Sequence, residues 1–197
     1  MQNLKQKQAA DTRALLVKTG RRLFAKRGYG AVSGEEVVAA TRLTRGALYH
    51  HFDGKAGLFR AVVVDAMKEV NDRVAKAAGG ATDPWKALEF GIRAFLDVCT
   101  APDLQRVLLV DGPAVLGWQA WRELDLEHGV GLLREVLRRA VAAGQMAVPD
   151  VDTASHLIAG ALIDGAMIIA SARGRSSVRH QVEQSMLAML RGFAPSP

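Results

Sequence analysis

The chain of 197 residues is 49% hydrophobic and 23% charged, as is typical of a folded protein with a sizeable core. Its formal charge of +6 is unevenly spread. Residues 1–60 hold twelve Lys and Arg against four Asp and Glu, a balance of +8, and the rest hold fourteen against sixteen, a balance of −2. The single cysteine, Cys99, excludes an intrachain disulfide and a cysteine-rich metal site, and a buried thiol is favoured there over a redox sensor.

The first residues, Met1-Gln-Asn-Leu-Lys-Gln-Lys-Gln, lack the apolar segment of a signal peptide. The longest apolar run, Leu157–Ala172, is too short to span a bilayer and contains Asp164. We therefore expect a cytoplasmic protein without a membrane partner. A basic N-terminal segment is compatible with a solvated charged face or with binding to phosphates.

Helical spacing of apolar residues recurs throughout the chain and predicts an all-α protein. The first helix is predicted over Thr12–Arg27, with Met1–Ala10 as a frayed arm that could also touch phosphate. Gly28 ends this helix, because glycine readily adopts a left-handed cap. Ser33 begins the next helix, and Glu36 three residues later completes a capping-box pattern.

A tight turn at Arg42-Leu43 separates that helix from a short one at Arg45–His51, which Thr44 caps. Leu48 and Phe52 are predicted to face the core and hold the short helix on its supports. A short polar helix mounted on an apolar one, in a basic segment, is typical of a helix that enters a DNA major groove.

Asp53-Gly54 breaks the chain, and Lys55 opens a long helix that is predicted to reach Ala78. Further helices are predicted at about Pro84–Thr100, Pro102–Asp111, Gly117–Ala143, Val151–Arg173 and Ser176–Phe193. Gly129 and Gly131 either bend the third of these or divide it into two helices. The predicted division is a DNA-binding domain at 1–55 and a helical domain at 56–197.

The run Leu43-Thr-Arg-Gly-Ala-Leu-Tyr-His-His-Phe-Asp-Gly-Lys-Ala-Gly-Leu-Phe59 resembles the signature of the tetracycline-repressor (TetR) family of transcriptional regulators. The resemblance covers residues 12–60 and extends to the remainder only as a helical body of matching length. It implies an N-terminal three-helix helix-turn-helix domain that binds DNA and a C-terminal domain that binds a small ligand and forms a homodimer.

The resemblance also implies roles for individual residues. Phosphate contacts are expected from Thr44, Tyr49, His50 and Lys55, with Ser33 as a further candidate. Arg45 and Ala47 are the candidates for base edges, since arginine pairs with guanine and alanine contacts the thymine methyl group. Gly46 and Ala47 permit close approach to a groove wall.

Alternative interpretations of these residues remain open. Tyr49 could be a packing residue, and Lys55 could be a solvated charge. His50 and His51 could suggest a metal pair, but neighbouring positions point about 100° apart on a helix. No metal site is therefore predicted.

In the C-terminal half, the last two predicted helices carry apolar residues on several sides, which favours burial against a second copy over burial inside a monomer. The predicted dimer interface comprises Leu157, Ala161, Ile168, Ala172, Val182, Met186 and Met189. A ligand pocket is predicted among Phe90, Phe95, Leu108, Trp118, Trp121, His128, Asp164 and Met167, although ordinary core or surface packing is favoured for any one of them taken singly.

The sequence contains no nucleophile–base motif, no glycine-rich phosphate loop and no metal-ligand spacing, so neither an enzyme nor a cofactor is predicted. The favoured function is a homodimeric repressor that binds a near-palindromic operator and is released by a small apolar or aromatic ligand. The alternative is a constitutive or architectural DNA-binding protein without an effector. It shares every N-terminal feature and differs only in lacking a usable pocket.

Overall fold

The computed structural model describes residues 2–172 and 176–195, and within these ranges the chain forms helices and turns without a strand. The predicted all-α fold is confirmed. The helices are α1 (Gln2–Arg27), α2 (Gly34–Thr41), α3 (Arg45–Phe52), α4 (Gly54–Ala78), α5 (Pro84–Cys99), α6 (Pro102–Gln105), a π-helical segment (Arg106–Asp111), α7 (Gly112–Leu116), α8 (Trp118–His128), α9 (Gly131–Ala142), α10 (Val151–Ser171) and α11 (Ser176–Arg191). Arg173, the predicted end of the penultimate helix, lies outside the described residues.

The chain divides into two compact units. Unit 1 comprises residues 1–66 and 102–121, and unit 2 comprises residues 67–101 and 122–197. The division falls inside α4, and unit 1 includes a second stretch of chain, residues 102–121, which we call the strap.

Unit 1 is built on α1, α2, α3 and the first half of α4. Phe24 and Phe59 form an edge-to-face aromatic pair with ring centroids 5.3 Å apart, and neither side chain is exposed. Leu16, Val37 and Leu58 are also fully buried in this unit. Burial of these large apolar side chains positions the short helices α2 and α3, which are too short to be stable alone.

Helix α1 begins at Gln2, so the predicted frayed arm at Met1–Ala10 and the predicted start at Thr12 were wrong for the described residues. Residues 4–11 are exposed and bury no apolar face. Lys, Gln and Ala dominate this stretch and have high intrinsic helix propensity, which extends the helix without tertiary support.

The strap packs against α1. The predicted helix at Pro102–Asp111 is replaced by α6, the π-helical segment and α7, which together end at Leu116. The Tyr29 backbone N–H donates a hydrogen bond to the Asp111 carboxylate at 2.8 Å. At Gly112, a Cβ atom would lie 2.9 Å from the Trp121 indole, so glycine permits this close approach.

Unit 2 contains α5, α9, α10, α11, the second half of α4 and the second part of α8. The region predicted as Gly117–Ala143 forms two helices, α8 and α9. Of the two predicted alternatives, a bent helix and a pair of helices, the second is confirmed. Gly129 lies at their junction, where a Cβ atom would come within 2.6 Å of the Asp125 carbonyl oxygen. Cys99 is 2% exposed, as predicted, and burial raises the pKa of its thiol to about 12.

Helix α10, with 21 residues, is long and apolar enough to cross a membrane by length and composition. The apolar run Leu157–Ala172 was predicted to be too short to span a bilayer, but the whole helix is long enough to do so. Within unit 2, α10 contacts α5, α9 and α11, and it buries Ile158, Leu162 and Ala166. Burial within unit 2 therefore accounts for part of its apolar composition.

Candidate DNA-binding surface

The start of α2 is fixed by local hydrogen bonds. Ser33 and Glu36 form the predicted capping box, in which the Glu36 N–H donates to the Ser33 hydroxyl at 3.1 Å and the Ser33 N–H donates to the Glu36 carboxylate at 2.8 Å. The Ser33 N–H and the Arg27 guanidinium, 2.6 Å away, lower the pKa of Glu36. Ser33 therefore acts first as a structural cap, and its exposed position leaves its hydroxyl close to solvent.

The turn between α2 and α3 places Arg42 in the left-handed region at φ 56°. Thr44 then caps α3, since its hydroxyl oxygen accepts the Ala47 N–H at 3.2 Å. The hydroxyl proton of Thr44 is not used in that bond, so it remains available to an anion at the helix start.

Helix α3 has one buried and one exposed side. Leu48 and Phe52 are 2% and 7% exposed, which confirms their predicted place in the core. On the opposite side Tyr49 is 51% exposed, and Arg45 and His50 are also exposed. A surface that is polar, basic and supported from behind is suited to the major groove.

The Arg45 guanidinium has two neighbours. It lies 3.5 Å from the Tyr49 hydroxyl and 3.7 Å from the Glu35 carboxylate, and it sits over the Tyr49 ring. The hydrogen bond to Tyr49 and the charge of Glu35 raise the pKa of Arg45. Arginine is charged at any physiological pH in any case, so the effect of these contacts is on its orientation.

Lys55 lies at the start of α4, and its ammonium Nζ is 3.8 Å from the centroid of the Tyr29 ring. The side chain is half-buried rather than freely solvated. A lysine held at a helix N-terminus, where free N–H groups point outward, is placed to bind a phosphate together with those groups.

Two further positions complete α3. Gly46 is exposed, and a Cβ atom there would meet only the Thr44 hydroxyl at 3.7 Å, so open space surrounds it. The His50 and His51 rings lie edge to face with centroids 5.1 Å apart. No group of three or more His, Cys, Asp or Glu that could hold a metal ion occurs among the described residues.

In unit 2, several predicted interface residues form an exposed apolar stripe. Leu157 and Ile168 on α10 are 68% and 46% exposed, and Met189 on α11 is 57% exposed. Ala161, Ala172 and Val182 are half-buried. Met186 is 4% exposed and belongs to the core of unit 2, so its predicted place in the interface was wrong.

The eight predicted pocket residues do not belong to one unit. Leu108, Trp118 and Trp121 lie in the strap of unit 1, whereas Phe90, Phe95, His128, Asp164 and Met167 lie in unit 2. Asp164 is exposed on the side of α10 that carries Leu157 and Ile168, and Met167 is exposed as well. Residues at 157, 161, 164 and 168 share one helix face by their 3.6-residue period.

Sequence reasoning missed several residues that this surface uses. Glu35, which contacts Arg45, follows Ser33 by two positions and looked like an ordinary first-turn acid of α2. Tyr29 lies between Gly28, which ends α1, and the cap Ser33, and no sequence pattern marked it.

In unit 2, Arg122 pairs with the largely buried Asp125 and donates to the His156 carbonyl at 3.1 Å. Burial outweighs the effect of Arg122 and raises the pKa of Asp125.

Comparison with known proteins places both parts of the chain. Residues 16–62 match the family model for bacterial regulatory proteins of the tetR family. Residues 85–193 match that for the tetracyclin repressor-like C-terminal domain. The transposon Tn10 TetC protein of Escherichia coli is 27% identical over 158 residues, which is 80% of each chain.

Solved structures extend the similarity over nearly the full chain. A TetR-family transcriptional regulator from Pectobacterium atrosepticum is 32% identical with a TM-score of 0.82, covering 97% of this chain and 98% of that one. RolR in complex with resorcinol is 20% identical with a TM-score of 0.76, covering 98% and 97%. The second likeness concerns the fold alone. The chain belongs to the TetR family of DNA-binding transcriptional regulators, which is a non-enzymatic family.

Proposed function

We propose that this chain is a homodimeric repressor that binds a near-palindromic operator and is released from it by a small apolar or aromatic ligand. The observation that carries the DNA-binding part is α3, whose buried Leu48 and Phe52 support an exposed side bearing Arg45, Tyr49 and His50. The ligand and dimer parts rest on unit 2 and on membership of the family.

On DNA, Arg45 reads a base edge, and Ala47 contacts a base or the groove wall. Thr44, Tyr49, His50 and Lys55 bind phosphates, Ser33 supports them from the start of α2, and Gly46 allows the backbone to approach closely. The contacts of the Arg45 guanidinium with Tyr49 and Glu35 support this role, because bidentate pairing with guanine requires a defined orientation. A transcriptional regulator acts on DNA in the cytoplasm, so we place the protein there.

The partner of the exposed stripe is a second copy of this chain. Leu157 and Ile168 on α10 and Met189 on α11 expose large apolar side chains, and a contiguous exposed apolar patch is a feature of protein–protein interaction sites. In a two-fold dimer the same stripe faces itself, so one apolar patch suffices for both copies. Two recognition helices then contact half-sites separated by about 34–36 Å, one turn of DNA.

The effector is proposed to be a small aromatic or apolar compound that binds unit 2. Phe90 and Phe95 supply aromatic surface on α5, and His128 supplies a polar contact. RolR, a structural neighbour, was solved with the phenolic ligand resorcinol, which supports this class of compound without identifying it. A ligand that binds better to a form unable to span both half-sites shifts the population off DNA. Helix α4 belongs to both units and is the proposed carrier of that shift.

Selection of bound sequences from a random duplex pool tests this proposal. Enrichment of two related half-sites supports a specific dimeric regulator. Salt-sensitive binding by folded protein without any enrichment supports the constitutive architectural alternative instead. A thermal-shift screen of small phenols and fatty acids then identifies binders, since a ligand of the native state raises the melting temperature. A binder that leaves operator affinity unchanged is not the effector.

A further inference from the structure

Tyr29 is a rigid aromatic platform in unit 1. Its ring centroid lies 4.8 Å from that of Phe59 and 5.7 Å from that of Phe24. Phe24 and Phe59 are completely buried, whereas Tyr29 is half-buried, so one part of its ring is supported by the core and another faces outward. A side chain wedged against two immobile rings cannot change rotamer without disturbing them.

The backbone of Tyr29 is also held. Its N–H donates to the Asp111 carboxylate of the strap at 2.8 Å. Tyr29 follows Gly28, whose φ of +82° ends α1, and the hydrogen bond comes immediately after this left-handed turn. The strap therefore holds the backbone at the point where the chain leaves α1, and the Tyr29 ring contacts Phe59 and Lys55 on α4.

The Lys55 ammonium rests over this ring at 3.8 Å from its centroid, well inside the range of a cation–π contact. An ammonium carries three N–H donors, and the ring face engages only one side of it. The outward donors stay free for a phosphate oxygen. Because the ring is neutral, it restrains the cation without cancelling its charge, which a carboxylate partner would do.

From this geometry we propose that Tyr29 is a positioning residue for DNA binding, which holds the Lys55 ammonium in the orientation that a phosphate needs. The proposal rests on the proposed phosphate contact of Lys55. A free lysine loses much rotamer freedom when it binds an anion, and a preplaced lysine has already lost it. Asp111 acts one step further away, by holding the backbone of Tyr29.

The experiment measures the affinity of the full-length protein for duplex DNA across a range of salt concentrations. The probes are a mixed-sequence duplex and the duplex recovered by selection, because a phosphate contact acts on both. Four proteins form a double-mutant cycle: the parent, Tyr29→Leu, Lys55→Ala and the combination. Tyr29→Phe is the matched control, since it keeps the ring and removes only the hydroxyl.

Lys55→Ala is expected to lower the slope of log affinity against log salt by about 0.9 per lost phosphate contact. Tyr29→Leu is expected to weaken binding about two- to fivefold when Lys55 is present, by loss of the cation–π restraint, and to have little effect when Lys55 is alanine. Tyr29→Phe is expected to bind as the parent does.

Each other result decides a different point. An unchanged salt slope in Lys55→Ala removes the phosphate contact itself, and with it the part of the proposed function that concerns Lys55. If Lys55→Ala lowers the salt slope as expected but Tyr29→Leu weakens binding equally with and without Lys55, only the positioning role is overturned. Tighter binding by Tyr29→Leu also overturns it, because the ring would then compete with phosphate for the cation.

Loss of the aromatic cluster could unfold Tyr29→Leu, so a shape-conserving variant provides a second route. Incorporation of 4-cyanophenylalanine at position 29 keeps a ring of similar size but withdraws electron density from its face. Compared with Tyr29→Phe, this variant is expected to bind DNA more weakly at an unchanged melting temperature. Equal affinities for these two variants overturn the proposal.

Discussion

Gly165 on α10 lies close to Val182 on α11, and its replacement gives a prediction with a defined sign. A Cβ atom at Gly165 would lie 2.8 Å from Val182 Cγ1. Apolar carbons pack at about 3.5–4.0 Å, so Gly165→Ala forces the two helices apart by roughly 0.7–1.2 Å or rotates Val182.

Two opposing effects set the magnitude. Overpacking of this kind costs about 1–3 kcal/mol of unfolding free energy. Alanine inside a helix regains about 1 kcal/mol over glycine. The net expectation for Gly165→Ala is a destabilisation between zero and about 2 kcal/mol, or a fall of up to roughly 4–8 °C in melting temperature for a protein of this size.

The sign of the effect should reverse when the clashing methyl group is removed. In a Val182→Ala background the steric cost disappears, and Gly165→Ala should then stabilise the protein by about 0.5–1 kcal/mol through helix propensity. The coupling between the two substitutions is therefore expected at about 1–3 kcal/mol. Denaturant unfolding of all four proteins at one fixed protein concentration measures it, since a dimer's stability depends on concentration.

Additive effects of the two substitutions would show that the helices are not in contact at Gly165, and the reasoning from the close approach would fail. The same proteins also test the interface. Because α10 and α11 carry the exposed stripe, Gly165→Ala should weaken dimerisation in sedimentation experiments. Leu157→Ser, which alters the stripe without altering the α10–α11 contact, is the matched comparison.

Three other predictions concern single side chains. Arg45→Ala should relax base preference at one operator position at a cost of about 1–3 kcal/mol, and an unchanged preference in a binding-site selection would remove Arg45 from base reading. Hydrogen bonds from Arg93 and then Arg179 lower the pKa of Glu183, so its stabilisation is present above about pH 4.3 and is lost as pH falls through the folded pKa. Glu183→Gln should therefore lower stability at pH 7 by roughly 1–2 kcal/mol, and the difference should vanish in acid, which pH-dependent denaturation checks. Cys99, with its pKa raised to about 12 by burial, should react with a thiol reagent at pH 8 only after unfolding.

Local chemistry made the N-terminal site predictable. Ser33, Glu36 and Thr44 cap their helices because the hydrogen bonds they make reach only three residues along the chain. Gly28 adopts a positive φ because glycine has no side chain to hinder that conformation. Burial of Leu48 and Phe52 followed from their helical spacing, so the exposed side of α3 was implied.

Contacts between distant residues were not predictable in the same way. The strap joins unit 1 across a separation of 82 residues between Tyr29 and Asp111, and no periodicity signals such a pairing. On α10, apolar residues surround much of the helix, so the sequence could not decide which side faces out. Asp164 was assigned to a pocket and lies on the exposed stripe, because the packing of α5, α9 and α11 chooses the buried side.

The basic charge of residues 1–60 was the first sign of a DNA-binding segment. In the structure, the basic side chains of this segment differ in whether they contact a carboxylate or an aromatic ring. Some arginines form ion pairs with carboxylates, so that the pair carries little net charge. Arg21 lies 3.1 Å from Asp65, and Arg27 lies 2.6 Å from Glu36. Other cations lie over neutral rings: Arg13 over Phe52 at 5.1 Å, Arg45 over Tyr49 at 5.4 Å and Lys55 over Tyr29 at 3.8 Å.

These two kinds of partner have different consequences for phosphate binding. A carboxylate neighbour must be displaced or left to repel the phosphate, so it weakens the attraction that counterion release provides. An aromatic neighbour fixes the cation and leaves its full charge available. Arg45 has both kinds, since Glu35 also lies 3.7 Å from it, and this arrangement suits its proposed role in distinguishing bases. Lys55, over Tyr29, should accordingly contribute alike to every DNA sequence.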